Sequence, residues 1–219
     1  VKDETIDDAL AAAALLRGTK GIDPDRVFIL GHSLGGFLMP RIASAAESLD
    51  IAGFIIMAGL TRPLDDTMVR QMTYIHGLAG DALSEDDRKK LEDIKAEVAR
   101  IKALTDADIG STAKLLGAMP AYWLDLRGYD PAEAAKAVAK PMLILQGGRD
   151  YQVTTEDLEN WKKALGGRGD VEFRLYPGLN HLFFAGKGPG TPLEYIQTHG
   201  SVAPEVVEDI AGFILGTRA

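Results

Sequence analysis

Ten residues, Val27-Phe28-Ile29-Leu30-Gly31-His32-Ser33-Leu34-Gly35-Gly36, constrain the fold more than any other stretch of this chain. A short β-branched and aromatic apolar run leads into a Gly-x-Ser-x-Gly turn that opens a helix. Strand, reversal and helix follow with no room for a loop, so Ser33 is expected at the reversal with its hydroxyl held above the strand end. Gly31 and Gly35, two positions either side, are expected to remove side chains that the reversal would bring together. The Leu34 N–H lies at the positive end of the new helix and would face a carbonyl oxygen becoming an oxyanion beside Ser33. Three fixed positions alone are weak evidence; the strand before and the helix after make them specific.

A serine hydroxyl attacks well only when a base takes its proton and an acid orients that base. Both types occur downstream, each after a strand. Pro141 to Gln146 reads as a buried parallel strand that runs through Gly147-Gly148-Arg149 to Asp150. Val171 to Tyr176 is another, followed by a Pro177-Gly178 turn and His181. Open α/β sheets bind ligands at the C-terminal edge of their strands, where Ser33, Asp150 and His181 would meet. Among the other histidines, His32 lies inside the turn and is expected to pack against neighbours, and His76 falls in a helical region. His199, in a late Thr-His-Gly-Ser loop, is the rival base.

These pieces resemble the α/β-hydrolase superfamily, and within it the bacterial carboxylesterase- and lipase-like serine hydrolases with a GHSLGG elbow. The resemblance runs from the helix before the elbow to the C-terminus. It implies an α/β fold, a mostly parallel sheet flanked by helices with a helical cap insertion. It also implies that Ser33 is the nucleophile, Asp150 the acid, His181 the general base and Leu34 N–H an oxyanion donor. The implied activity is carboxylic ester hydrolysis through an acyl-serine, without cofactor or metal and with a small-molecule ester as substrate. Amide, thioester or C–C hydrolysis on the same scaffold is the alternative reaction. A non-catalytic binding module that keeps the elbow as architecture is the alternative of another class.

With 219 residues, 46% of them hydrophobic and 26% charged, the chain is long and apolar enough for one sizeable core. A net charge of −8 and the lack of any Lys/Arg run disfavour nucleic acid and anionic membrane surfaces as partners. Absence of cysteine excludes disulfides, thiolate catalysis and Cys-ligated metal sites. No apolar segment reaches membrane-span length, and residues 1–20 do not read as a signal. A cytoplasmic enzyme is therefore the expectation, with a signal removed ahead of Val1 still compatible.

Along the chain, Thr5-Ile6-Asp7-Asp8 predicts a capping box for a helix through Arg17, and Ile51 to Met57 a second strand. Pro40 is expected to kink the helix after Ser33. From Thr61 to Lys140 helical periodicity replaces strand signal, with Leu91, Ile94, Val98, Ile101 and Leu104 forming one stripe. The core is thus expected at residues 1–60 and 141–219, with a cap at 61–140. Tyr122 and Trp123 are the candidate substrate-binding residues of that cap. Thr155–Leu165 and Pro204–Leu215 read as helices, and residues 186–190 as a flexible loop.

Only four strands are legible, at 27–30, 51–57, 141–146 and 171–176, where the family usually has eight. The early glycine-rich loop that supplies the second oxyanion donor is not found, and one missing donor costs about 10²–10³ in rate. The sequence is therefore expected to be a piece of a longer protein that alone hydrolyses short activated esters weakly or not at all. Its elbow strand would then form an apolar edge that takes a partner, either a second copy or another polypeptide.

Overall fold

The computed structural model describes residues 2–80, 84–197 and 199–217, which fall into two compact units, residues 1–61 with 130–219 and residues 62–129. The strands are β1 (Phe28–His32), β2 (Gly53–Met57), β3 (Met142–Gly147) and β4 (Val171–Tyr176). The helices of the described residues are α1 (Asp7–Arg17), α2 (Leu34–Ala45), α3 (Leu64–Ala79), α4 (Glu85–Ala103), α5 (Pro120–Leu126), α6 (Pro131–Ala134), α7 (Thr155–Leu165), α8 (Glu194–Gln197) and α9 (Pro204–Gly216).

The first unit is built on one parallel sheet in the order β1-β2-β3-β4. Phe28 pairs with Gly53, Phe54 with Met142 and Met142 with Val171, so all four strands deliver their following loops to the same edge. Every residue of β2 and β3 is buried, as their unbroken apolar runs require of central parallel strands. β1 and β4 form the edges; Leu30 of β1 is 47% exposed, and among the described residues no strand pairs with the outer side of β1. α2 covers β1 and β2 with buried Phe37, Leu38, Met39 and Ile42, and it runs through Pro40 without ending. α9 closes on β1 through an edge-on contact of Phe213 with Phe28.

Two local expectations change. The Thr5–Asp8 capping box does not start a helix, because the chain is already helical from Lys2, in a π-helical turn that runs into α1. Ile6 stands at the junction and has no side-chain cap. Residues 130–140, read from sequence as part of the insertion, cluster with the sheet unit, where Pro131 and Ala132 of α6 are buried and α6 packs on α2 and α7.

The second unit is helical. Ser84 caps α4 by accepting from the Asp87 amide at 3.1 Å. The stripe on α4 faces inward at Val98 and Ile101, with Leu91 and Ile94 half-buried. Ile101, Leu115 and Trp123 make the core, ringed by Leu64, Met68, Leu104, Leu116 and Tyr122. The indole of Trp123 donates to the Leu115 carbonyl at 2.9 Å. Tyr122 and Trp123, the candidate substrate-binding residues, both pack inside this unit. No helix of the described residues is long and apolar enough to cross a membrane.

Candidate active site

Ser33 occupies the single residue between β1 and α2, with φ 55° and ψ −114°. A non-glycine residue held at such angles costs about 1–3 kcal/mol and persists only where its surroundings fix it. Here they do. The Ser33 amide extends the ladder by donating to the Met57 carbonyl at 2.9 Å, and its own carbonyl accepts the first helical bond, from Phe37 N, at 2.9 Å. The amides of Leu34, Gly35 and Gly36 belong to the first turn, which has no intrahelical acceptors.

The close approaches at the elbow differ from those expected. A side chain at Gly31 would run into the Gly35 carbonyl and the Met39 methyl, whereas one at Gly35 would meet nothing within 4 Å. The second crowded position is Gly36, where a Cβ would stand 2.8 Å from the Cα of Gly59. The elbow is therefore pressed onto the chain leaving β2, and the indole of buried Trp161 holds that chain by donating to the Gly59 carbonyl at 2.9 Å.

Asp150 and His181 meet after β3 and β4. His181 Nδ1 lies 2.7 Å from Asp150 Oδ2, and each residue is 5% exposed. A carboxylate there makes Nδ1 the donor, leaving Nε2 with a free lone pair. The other carboxylate oxygen accepts from the amides of Gln152 at 2.8 Å and Val153 at 3.0 Å, which fixes the Asp150 side chain. Ser33 shares this strand edge. The hydrogen bonds of the described residues include none from Ser33 Oγ to His181. His199 is exposed and His76 is buried in α3 of the helical unit.

Several supporting residues escaped sequence reading. His32, the last residue of β1, reaches the loop beyond β4, where its Nε2–H donates to the His181 carbonyl at 2.8 Å. Its ring lies 4.6 Å from that of His181, and burial holds its pKa below the ordinary value of 6.5. Arg149 and Asn180 precede Asp150 and His181, and both bind one carboxylate, that of Glu194 in α8. Burial opposes ionisation of Glu194, but Arg149 and Asn180 outweigh it and hold the carboxyl below its usual range. Asn180 also accepts from the amides of Leu182 at 3.0 Å and Phe184 at 3.1 Å, tightening the turn that carries His181.

The family model described as "Alpha/beta hydrolase family" matches residues 2–187. Esterase EstD of Thermotoga maritima is 38% identical over 215 residues, covering 98% of this chain and 48% of that protein, so the chain spans about half the length of the curated relative it matches. An esterase of Pyrococcus furiosus superposes with a TM-score of 0.55 at 16% identity, covering 96% of this chain and 63% of that one. Dipeptidyl peptidase 4 of Porphyromonas gingivalis superposes at 0.53 and 15% identity, covering 98% of this chain and 23% of that one. At those identities the two structures speak for the fold alone. With the elbow, the parallel sheet and a family match across most of its length, the chain belongs to the alpha/beta hydrolase family.

Proposed function

We propose that this chain carries the catalytic machinery of a serine hydrolase that cleaves carboxylic esters through an acyl-Ser33 intermediate. The observation that carries the reading is the buried Asp150–His181 hydrogen bond, formed at the strand edge where Ser33 is held in a strained elbow. His181 Nε2 takes the Ser33 proton as Oγ attacks the ester carbonyl carbon. The carbonyl oxygen becomes an oxyanion stabilised by the Leu34 N–H at the start of α2. Collapse breaks the bond to the alcohol, which leaves with the proton from His181. Water then attacks the acyl carbon by the same route and frees Ser33. Asp150 fixes the tautomer of His181 and stabilises its imidazolium throughout.

Esters rather than amides are favoured by the 38% identical relative, whose name is that of an esterase. We assign the helical unit, residues 62–129, the role of the cap, because it is inserted where the chain leaves the C-terminal end of β2. The outer side of β1, which no strand of the described residues pairs, is the place for a further strand, from a second copy or another polypeptide.

Hydrolysis of p-nitrophenyl acetate by the 219-residue chain, its Ser33→Ala variant and its His181→Ala variant tests the reading. Weak turnover above the uncatalysed background is expected for the unchanged chain, with each variant reduced to background. Equal turnover by all three proteins overturns the assignment.

A further inference from the structure

His32 separates the elbow glycine from the nucleophile, and in sequence nothing distinguishes it from a packing residue. In the fold it spans the sheet. β1 and β4 are opposite edges with β2 and β3 between them, and the bond from His32 Nε2–H to the His181 carbonyl joins residues 149 positions apart. The turn holding His181 is closed by its own bonds, with Phe183 N donating to the Asn180 carbonyl at 2.9 Å and Asn180 N to the Phe184 carbonyl at 3.0 Å. Those bonds fix the shape of the turn and leave its placement over the sheet to other contacts. Asp150 holds the imidazole of His181 from β3, and His32 holds its main chain from the strand that carries Ser33.

We infer that His32 is a positioning residue for His181, registering the base against the nucleophile through a bond from the nucleophile's neighbour to the base's own carbonyl. The inference rests on the Ser33–Asp150–His181 reading above. Neutral imidazole suits the role. A cation on His32, at 4.6 Å between ring centres, would oppose the imidazolium that His181 must form, and burial keeps His32 neutral at pH 7. The ring also meets Phe183 edge-on at 6.4 Å, so packing and hydrogen bonding are separable by substitution.

His32→Phe keeps a ring and removes the donor; His32→Gln keeps an N–H donor and removes the ring. With p-nitrophenyl acetate, His32→Phe is expected to lower kcat about tenfold with KM within about twofold, since one neutral hydrogen bond is lost from a group that acts in the transition state. His32→Gln is expected to recover kcat to within about threefold of the unchanged chain. Melting temperatures of both variants identify loss of fold. An unfolded His32→Phe leaves the decision to His32→Gln, which must then remain active. Unchanged kcat in His32→Phe, or a His32→Gln variant as slow as His32→Phe, overturns the inference. Ser33→Ala and His181→Ala run alongside: if they keep full turnover the triad reading falls and this inference with it, whereas if they lose turnover and His32→Phe does not, this inference alone falls.

Discussion

Gly36 of the elbow helix and Gly59 beyond β2 meet backbone to backbone, and a Cβ on Gly36 would stand 2.8 Å from the Gly59 Cα. Neither partner is a flexible side chain that could move aside. Gly36→Ala is therefore expected to destabilise the fold by about 1–3 kcal/mol, the usual cost of overpacking, and to lower the melting temperature by several degrees. Gly35→Ala, with open space around its Cβ, is expected to be neutral or slightly stabilising because alanine is the better helix former. Thermal unfolding of the two variants side by side checks the assignment; equal losses at both sites would contradict it.

Glu194 is the common partner of Arg149 and Asn180, the residues before Asp150 and His181. The Arg149 side chain is 7% exposed, so Glu194→Ala leaves an almost buried guanidinium without its carboxylate, at a cost of about 3 kcal/mol in chemical denaturation. The pH dependence follows from the lowered pKa of Glu194. The unfolded chain binds this proton more readily, so the stabilisation is present above the ordinary carboxyl pKa of about 4.5 and is lost as pH falls through the lower folded value. Glu194→Gln is expected to flatten the stability profile between pH 5 and 3, approximately the range in which a carboxyl near that value titrates.

Asp157 fastens the end of the first unit's leading segment. Fully buried in the first turn of α7, it accepts from Thr61 N at 2.9 Å, Thr61 Oγ1 at 2.8 Å and Thr154 N at 3.1 Å. Asp157→Ala strands buried donors and is expected to cost about 2–4 kcal/mol. Hydrogen exchange should quicken around residue 61 more than in β2. Uniform exchange across both segments would mean that Asp157 acts on global stability only.

Asp150→Asn keeps the shape of the acid and an oxygen for the Gln152 and Val153 amides. The group facing His181 Nδ1 then becomes an amide donor, which forces the imidazole into the wrong tautomer. A fall in kcat of about 10⁴ with little change in melting temperature is expected for p-nitrophenyl acetate. A loss below tenfold would remove Asp150 from the mechanism.

Much of the fold was legible because burial writes itself into local sequence. β2 and β3 are central and buried throughout, so Phe54-Ile55-Ile56-Met57 and Met142-Leu143-Ile144-Leu145 read as strands without alternation. Ser33 follows β1 directly, and Asp150 and His181 lie in the loops that leave β3 and β4, so their shared edge follows from parallel pairing. What could not be read is side-chain reach across the sheet. His32 gives no local sign that its ring ends at a carbonyl 149 positions away. The loop 186–190 looks flexible because it is rich in glycine, yet its carbonyls at Lys187, Gly188 and Pro189 all accept from Arg149. Gly186 is needed because a side chain there would strike the same guanidinium. The insertion boundary shifted for a related reason: Pro131 and Ala132 are helical like the residues before them, but their burial lies in the sheet unit.

The central claim is that Ser33 is a nucleophile activated by His181. Reaction of the 219-residue chain with a fluorophosphonate, followed by mass spectrometry of the digested protein, measures it directly. A single adduct on Ser33 is expected, absent in Ser33→Ala and slowed by at least about 10³-fold in His181→Ala, since a neutral serine hydroxyl without its base reacts little faster than one in water. No adduct on Ser33, or labelling at the same rate in His181→Ala, would contradict it.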